Sequence, residues 1–218
     1  TDPTCSSPNG GSVTIKAPDE STLTYTGQGH PATFENHLTT GDQVPAITYT
    51  QTKPTQQQLE IGATPTNAGT YTASITMGEF SASVDYTIRK AGLIVTAKDN
   101  TVTYGETASD NGVTYSGFVN DKDKNALQSS SLTYTFNGYI PGTGVGSSCT
   151  IVPSGLTSNN YAIEFKPGTL TVTPREVTLT WHDFENRTYG DNKTVTATAG
   201  NLVSNDNISV TVSGGAET

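Results

Sequence analysis

The chain has 218 residues, 32% apolar and only 14% charged, with 20 acidic against 11 basic side chains and a net charge of -9. Forty Thr and nineteen Ser keep its surface wet in place of ions, and a charged fraction below the roughly 25% of an average soluble domain argues against a solvating acidic tail. No run approaches the ~18 apolar residues of a membrane span, residues 1–20 lack the basic and apolar regions of a signal peptide, and a pI near 4.6 makes nucleic acid and anionic membranes poor partners.

In chain order, residues 1–11 (TDPTCSSPNGG) read as a flexible lead-in carrying Cys5. The other cysteine is Cys149, in phase with Ile151 along a strand-like stretch, where it reads as a small core residue. Two cysteines are not a disulfide scaffold, although a Cys5–Cys149 bridge is allowed by arithmetic. The first unit then spans 12–90. It carries Thr22-Leu23-Thr24-Tyr25 early and Pro65-Thr66-Asn67-Ala68-Gly69-Thr70-Tyr71 late. The second spans 91–174, with Thr101-Val102-Thr103-Tyr104-Gly105 early and Pro141-Gly142-Thr143-Gly144-Val145 late. The third, 175–218, opens like the others and has Thr188-Tyr189-Gly190, but Thr218 precedes any late Pro/Gly turn. It is expected to be an incomplete copy, either continued beyond Thr218 or finished by strands from elsewhere. The motif tyrosines are spaced by 79 and 85 residues, and self-similarity at a fixed period fixes architecture before secondary structure does.

Within the units the pattern has period two. Leu93, Val95 and Ala97 alternate with Ile94, Thr96 and Lys98; Leu132, Tyr134 and Phe136 with Thr133 and Thr135; Leu170 and Val172 with Thr169, Thr171 and Thr173. A strand with one buried face needs this alternation, and β-branched Thr suits the exposed face. Turn chemistry recurs at Asn9-Gly10-Gly11, Asn111-Gly112, Asn137-Gly138, Pro153-Ser154-Gly155 and Lys166-Pro167-Gly168. The fold class is therefore all-β, as small sandwich or barrel modules in tandem. Only Asn120–Gln128 invites a helix, of at most two turns, which leaves a β-grasp-like sheet with one short helix as the alternative.

Four motifs of the second unit carry a family resemblance: Thr103-Tyr104-Gly105-Glu106, Tyr115-Ser116-Gly117-Phe118-Val119-Asn120, Pro153 through Tyr161, and Pro167-Gly168-Thr169-Leu170-Thr171-Val172-Thr173. In this order they resemble the MBG class of mostly bacterial immunoglobulin-like repeats. The first unit is similar through Tyr25-Thr26-Gly27 and Asn67-Ala68-Gly69-Thr70-Tyr71, and the third resembles the start of an MBG or YDG repeat. The resemblance implies tandem small immunoglobulin-like β-sandwich modules of bacterial surface or secreted proteins, commonly adhesins, and supplies no catalytic residues. Cys149 departs from it, standing where such repeats often place Tyr.

Signals for chemistry are sparse. His30, His37 and His182 never fall at metal-pair spacing; His182-Asp183 hints at a general base but lacks a nucleophile elbow; and the acids are too scattered for a glycosidase pair. Asp121, Asp123 and Asn125 have the alternate oxygens of a calcium loop, yet Ala126 and Leu132 stand where Gly and a bidentate Glu belong. Lys98 falls on the solvent phase, which disfavours a self-made isopeptide link, and the sequons at Asn186, Asn192 and Asn207 follow from Thr, Ser and Asn richness. No cofactor is implied. Trp181 and Tyr139 are the aromatics that would serve as sugar platforms, with core packing as the plainer role for each.

The function expected is non-catalytic and extracellular: a stalk at a bacterial cell surface whose short junctions, Arg89-Lys90-Ala91-Gly92 and Thr173-Pro174-Arg175, leave little slack. Stacked end to end, the units would extend on the order of 100 Å at ~3.3 Å per strand residue, holding a distal binding domain away from the wall. The alternative makes these modules the binding element for glycans or host surface proteins. Neighbouring repeats are the remaining partners.

Overall fold

The computed structural model describes residues 2–119, 127, 132–182, 190, 195–204 and 206–213. Among them the architecture is all-β, and the helical content is one 3-10 turn at Glu20–Thr22, capped by the Asp19 carboxylate, which accepts from Ser21 N. The segment Asn120–Gln128, expected as the short helix, lies outside the described residues except for Leu127, which is buried.

Two sheets build the first sandwich. One has β1 (Thr4–Ser6), β2 (Ser12–Lys16) and β3 (Thr33–His37), antiparallel in that order. The other has β4 (Thr48–Lys53), β5 (Gln57–Gln58), β6 (Gly69–Met77) and β7 (Phe80–Ile88), in the order β5-β4-β6-β7. Val13 and Ile15 of β2 are fully buried with Tyr71, Ala73 and Ile75 of β6 and Tyr86 and Ile88 of β7. Three buried tyrosines spend their hydroxyls on backbone, as buried polar groups must. Tyr49 accepts from Ala32 N at 3.0 Å, Tyr71 donates to Asn67 O at 2.9 Å, and Tyr86 donates to His30 O at 2.8 Å. Burial holds all three phenols above their ordinary range.

Within residues 1–11, expected as a flexible lead-in, Thr4–Ser6 form a paired strand. Thr4, Cys5 and Ser6 pair with Thr14, Val13 and Ser12, and Cys5 is 3% exposed within the sandwich core. Cys149 is buried in the second unit, and both thiols are free, so the allowed bridge does not form.

The second repeat supplies two further sheets. β8 (Ala91–Ala97) lies between β10 (Val113–Ser116) and β13 (Tyr161–Lys166). β9 (Asn100–Thr103), β11 (Thr133–Asn137), β12 (Ser148–Ser154) and β14 (Gly168–Thr173) form the other, in the order β11-β12-β14-β9. The alternation read from sequence sets burial here: Leu93, Val95, Leu170, Val172, Cys149 and Ile151 are all within 3% of complete burial. Lys166-Pro167-Gly168 is a crossing rather than a hairpin turn. β13 runs parallel to β8, and after Pro167 the chain enters the other sheet, where β14 runs parallel to β9. The last described strands, β15 (Thr178–His182) and β16 (Thr196–Gly200), form an antiparallel ribbon.

Two compact units result. One holds Thr1–Thr96, Val113–Thr133 and Pro153–Lys166, and the other Ala97–Gly112, Tyr134–Val152 and Pro167–Thr218; each has its own apolar cluster. The division thus follows sheets, with β10 and β13 in the first unit and β9 and β14 in the second.

Candidate functional site

The outer face of the β4-β6-β7 sheet is an array of hydroxyls, because the phase opposite Tyr71, Ala73 and Ile75 is Thr70, Thr72, Ser74 and Thr76. Opposite them on β7 stand Thr87, Asp85, Ser83 and Ser81. Thr70 and Thr87 share a hydrogen bond of 3.1 Å, Thr72 donates to Asp85 at 2.6 Å, and Thr52 donates to Thr70 O at 3.2 Å. These bonds tie the face to itself, hydroxyl to hydroxyl, to a carboxylate and to backbone.

A polar hub forms around Asp42. Its carboxylate accepts from Ser7 Oγ at 2.7 Å, Thr39 N at 2.9 Å, Thr39 Oγ1 at 3.0 Å and Asn9 Nδ2 at 3.0 Å. The Ser7 hydrogen bond, followed by that from the Thr39 amide, holds the acid below its ordinary range. Ser7 Oγ in turn accepts from Gly11 N at 2.7 Å, so the hub ties the N-terminal strand to the 39–42 loop. A shallow groove of about 250 Å³ runs beside it, lined by Asn9, Asp42, Pro45 and Met77 among others. Every Asp42 oxygen is already engaged, and the hub is structural. No sequence signal marks Asp42 beyond the Thr-x-x-Asp spacing that brings Thr39 to its carboxylate.

The two aromatics singled out from sequence diverge. Tyr139 is 9% exposed, packs in the second unit's core and donates its hydroxyl to Glu106 O; it offers no face to a sugar. Trp181 is 53% exposed on β15, paired with Ala197, and Leu179 and Val177 share its phase at 50% and 40%. One ribbon face therefore presents Trp181 and Leu179, with Val177 exposed just before it.

The histidines stand apart from one another. His30 is buried, its amide donating to Pro65 O at 2.8 Å, and His182 Nε2 lies 3.0 Å from Thr198 Oγ1 on the exposed ribbon. Among the described residues no three His, Cys, Asp or Glu side chains gather as metal ligands. The calcium candidates Asp121, Asp123 and Asn125 lie outside the described residues, as do Asn186 and Asn192. Lys98 is exposed.

With this geometry in view, residues 93–171 match the family model described as the MBG domain (YGX type). The stretch that matches lies within the second repeat and is similar to an MBG-type domain. No curated protein matches the chain, and no solved structure does.

Proposed function

We propose that the chain is a run of non-catalytic repeats from the extracellular part of a bacterial surface protein, divided at 12–90, 91–174 and 175–218. It acts as a spacer in adhesion that presents a distal binding domain. The MBG match over 93–171 carries this reading. The junctions suit it: only Arg89 and Lys90 separate β7 from β8, and only residues 174–177 separate β14 from β15, too few to act as slack linkers.

Small-angle scattering tests the spacer. A rod on the order of 100 Å, three units of about 30 Å each, has a radius of gyration near 29 Å, against about 17 Å for a compact particle of this length. A value near the compact limit overturns the reading.

The exposure of Trp181 favours a second reading, in which the ribbon face binds glycans or host glycoproteins. A glycan array with the chain and with Trp181→Ala separates the two. Binding lost in the variant supports recognition by this face, and absence of binding in the parent chain leaves the spacer alone.

A further inference from the structure

The tyrosine of the recurring Thr-Tyr motif faces the next repeat. In the first unit, the Tyr25 ring meets Tyr161 of β13 edge-on, with centroids 5.5 Å apart and planes at 81°. Tyr161 then holds the loop that follows β10: its hydroxyl accepts from Val119 N at 2.9 Å, and its ring meets Phe118 at 5.5 Å. Beside this aromatic stack sits Asn160. Its Oδ1 accepts from Ala68 N at 2.9 Å and its Nδ2 donates to Asn67 Oδ1 at 3.0 Å, both in the late turn of the first repeat. Its own carbonyl accepts from Ala91 N at 3.0 Å, and Lys90 Nζ donates to Ser158 O at 2.7 Å, which closes the junction from the linker side.

The second unit repeats the arrangement one repeat later. Tyr104 donates its hydroxyl to Asp206 Oδ1 at 2.7 Å. Val203, 84 residues after Val119 and likewise just past its strand, packs on Gly105 so closely that a Cβ there would lie 2.2 Å from its Cγ2. Arg175, at the start of the third repeat, reaches Glu106 Oε1 at 2.6 Å, Tyr104 O at 3.4 Å and both oxygens of Asn201 at 2.9 Å. The first junction closes through an amide and aromatic rings, the second through a guanidinium and two carboxylates.

We infer that the Thr-Tyr tyrosine is a docking socket for the following repeat, Tyr25 receiving Tyr161 and through it the loop after β10, Tyr104 receiving the loop after β16, and that Asn160 and Arg175 are the polar locks of the two sockets. The motif most often repeated in the sequence encodes attachment between successive repeats of one chain. The inference is independent of the spacer reading.

Hydrogen exchange of the full 218-residue chain, read by mass spectrometry, tests it with Asn160→Ala and Tyr104→Phe. Neither variant deletes a buried apolar group. Asn160→Ala should raise exchange about 3- to 10-fold at Ala68–Thr70 together with Ser158–Tyr161, the loss of one or two net hydrogen bonds, while Ala73–Met77 of β6 stays protected. Tyr104→Phe should do the same at Val203 and Asp206. Exchange rising at 158–161 with Ala68 unchanged overturns the socket, as does a uniform rise through β6 and β7, which would make these residues supports of single repeats.

Discussion

Gly168→Ala probes the point where the chain crosses between sheets. Gly168 follows Pro167 at the second crossing, and beside it runs the first, Ala97-Lys98-Asp99. A Cβ at position 168 would lie 2.6 Å from Ala97 O, 2.9 Å from Lys98 O and 3.0 Å from the Ala97 carbonyl carbon. These are backbone atoms, so no rotamer change relieves the contact. Ordinary contact begins near 3.4 Å, so the two crossings must part by about 0.8 Å. That displacement stretches the 2.6 Å bond from Thr169 N to Asp99 Oδ1 and pulls on the first pair of the β14–β9 ladder, Leu170 with Asn100. Overpacking costs about 1–3 kcal/mol and a hydrogen bond to a charged group adds up to about 1.5–3 kcal/mol, reduced here by exposure; a net loss of about 2–3 kcal/mol follows. With a urea slope of roughly 1–3 kcal/mol/M, the midpoint followed by circular dichroism falls by about 0.7–3 M. Gly92→Ala is the control: its Cβ meets nothing within 4 Å, and its effect should stay within about 0.5 kcal/mol. If the two variants unfold at the same midpoint, the crossings are not in contact as described.

Three further outcomes are expected. Asp42 is held below its ordinary value of 3.8, so its bonds to Ser7 and Thr39 stabilise the fold above that value and fade as pH falls through the lowered folded one; exchange at β1 should rise there, and Asp42→Asn should remove that pH dependence. Protection of β1 that persists unchanged well below 3.8 would count against the hub. Tyr86→Phe leaves the buried His30 carbonyl without its donor and should cost about 1–3 kcal/mol in urea unfolding, whereas a loss below about 0.5 kcal/mol would mean the bond contributes nothing. Cys5, its thiol pushed up by burial, and buried Cys149 should both resist a disulfide reagent in the native chain and both react in denaturant; rapid native labelling of either contradicts its burial.

The strands of this fold were legible because alternation is local. Leu93, Val95 and Ala97, or Leu170 and Val172, announce which side is buried without reference to anything distant, and all are buried. Partners are another matter. Nothing in Tyr161–Lys166 says that it lies parallel to Ala91–Thr96, since both are apolar on one phase and either hand of pairing would bury it. β1 is invisible for a different reason: three residues with one apolar side chain are too short to show a period, and Thr4–Ser6 is ordered by β2 and by the Asp42 hub. Tyr139 and Trp181 show the same limit for the candidate site. Both are aromatics near a turn or strand end, but Tyr139 is covered and bonded to a carbonyl 33 residues earlier, at Glu106, while Trp181 is exposed. The Asn159-Asn160-Tyr161 motif reads as structural from sequence; that its partners Asn67 and Ala68 are some 90 residues away can be seen only in the fold.

The pairing of early with late strands has a consequence for how tension passes through the chain. Leu23–Tyr25 lies parallel to Arg89, β8 to β13, and β9 to β14. Parallel neighbours have their amino ends on the same side. A pull that draws the early strand back by its amino end and the late one forward by its carboxyl end therefore slides them along each other. The six residue pairs of β8 and β13 are then loaded in shear at once, whereas an antiparallel hairpin such as β6–β7 peels open one bond at a time from its free end. Forced unfolding is governed by the height of the rupture barrier, and that barrier is raised when many bonds must part together. In this hydroxyl-rich sequence, poor in large apolar groups, the direction of the strands thus decides how an applied load would be shared.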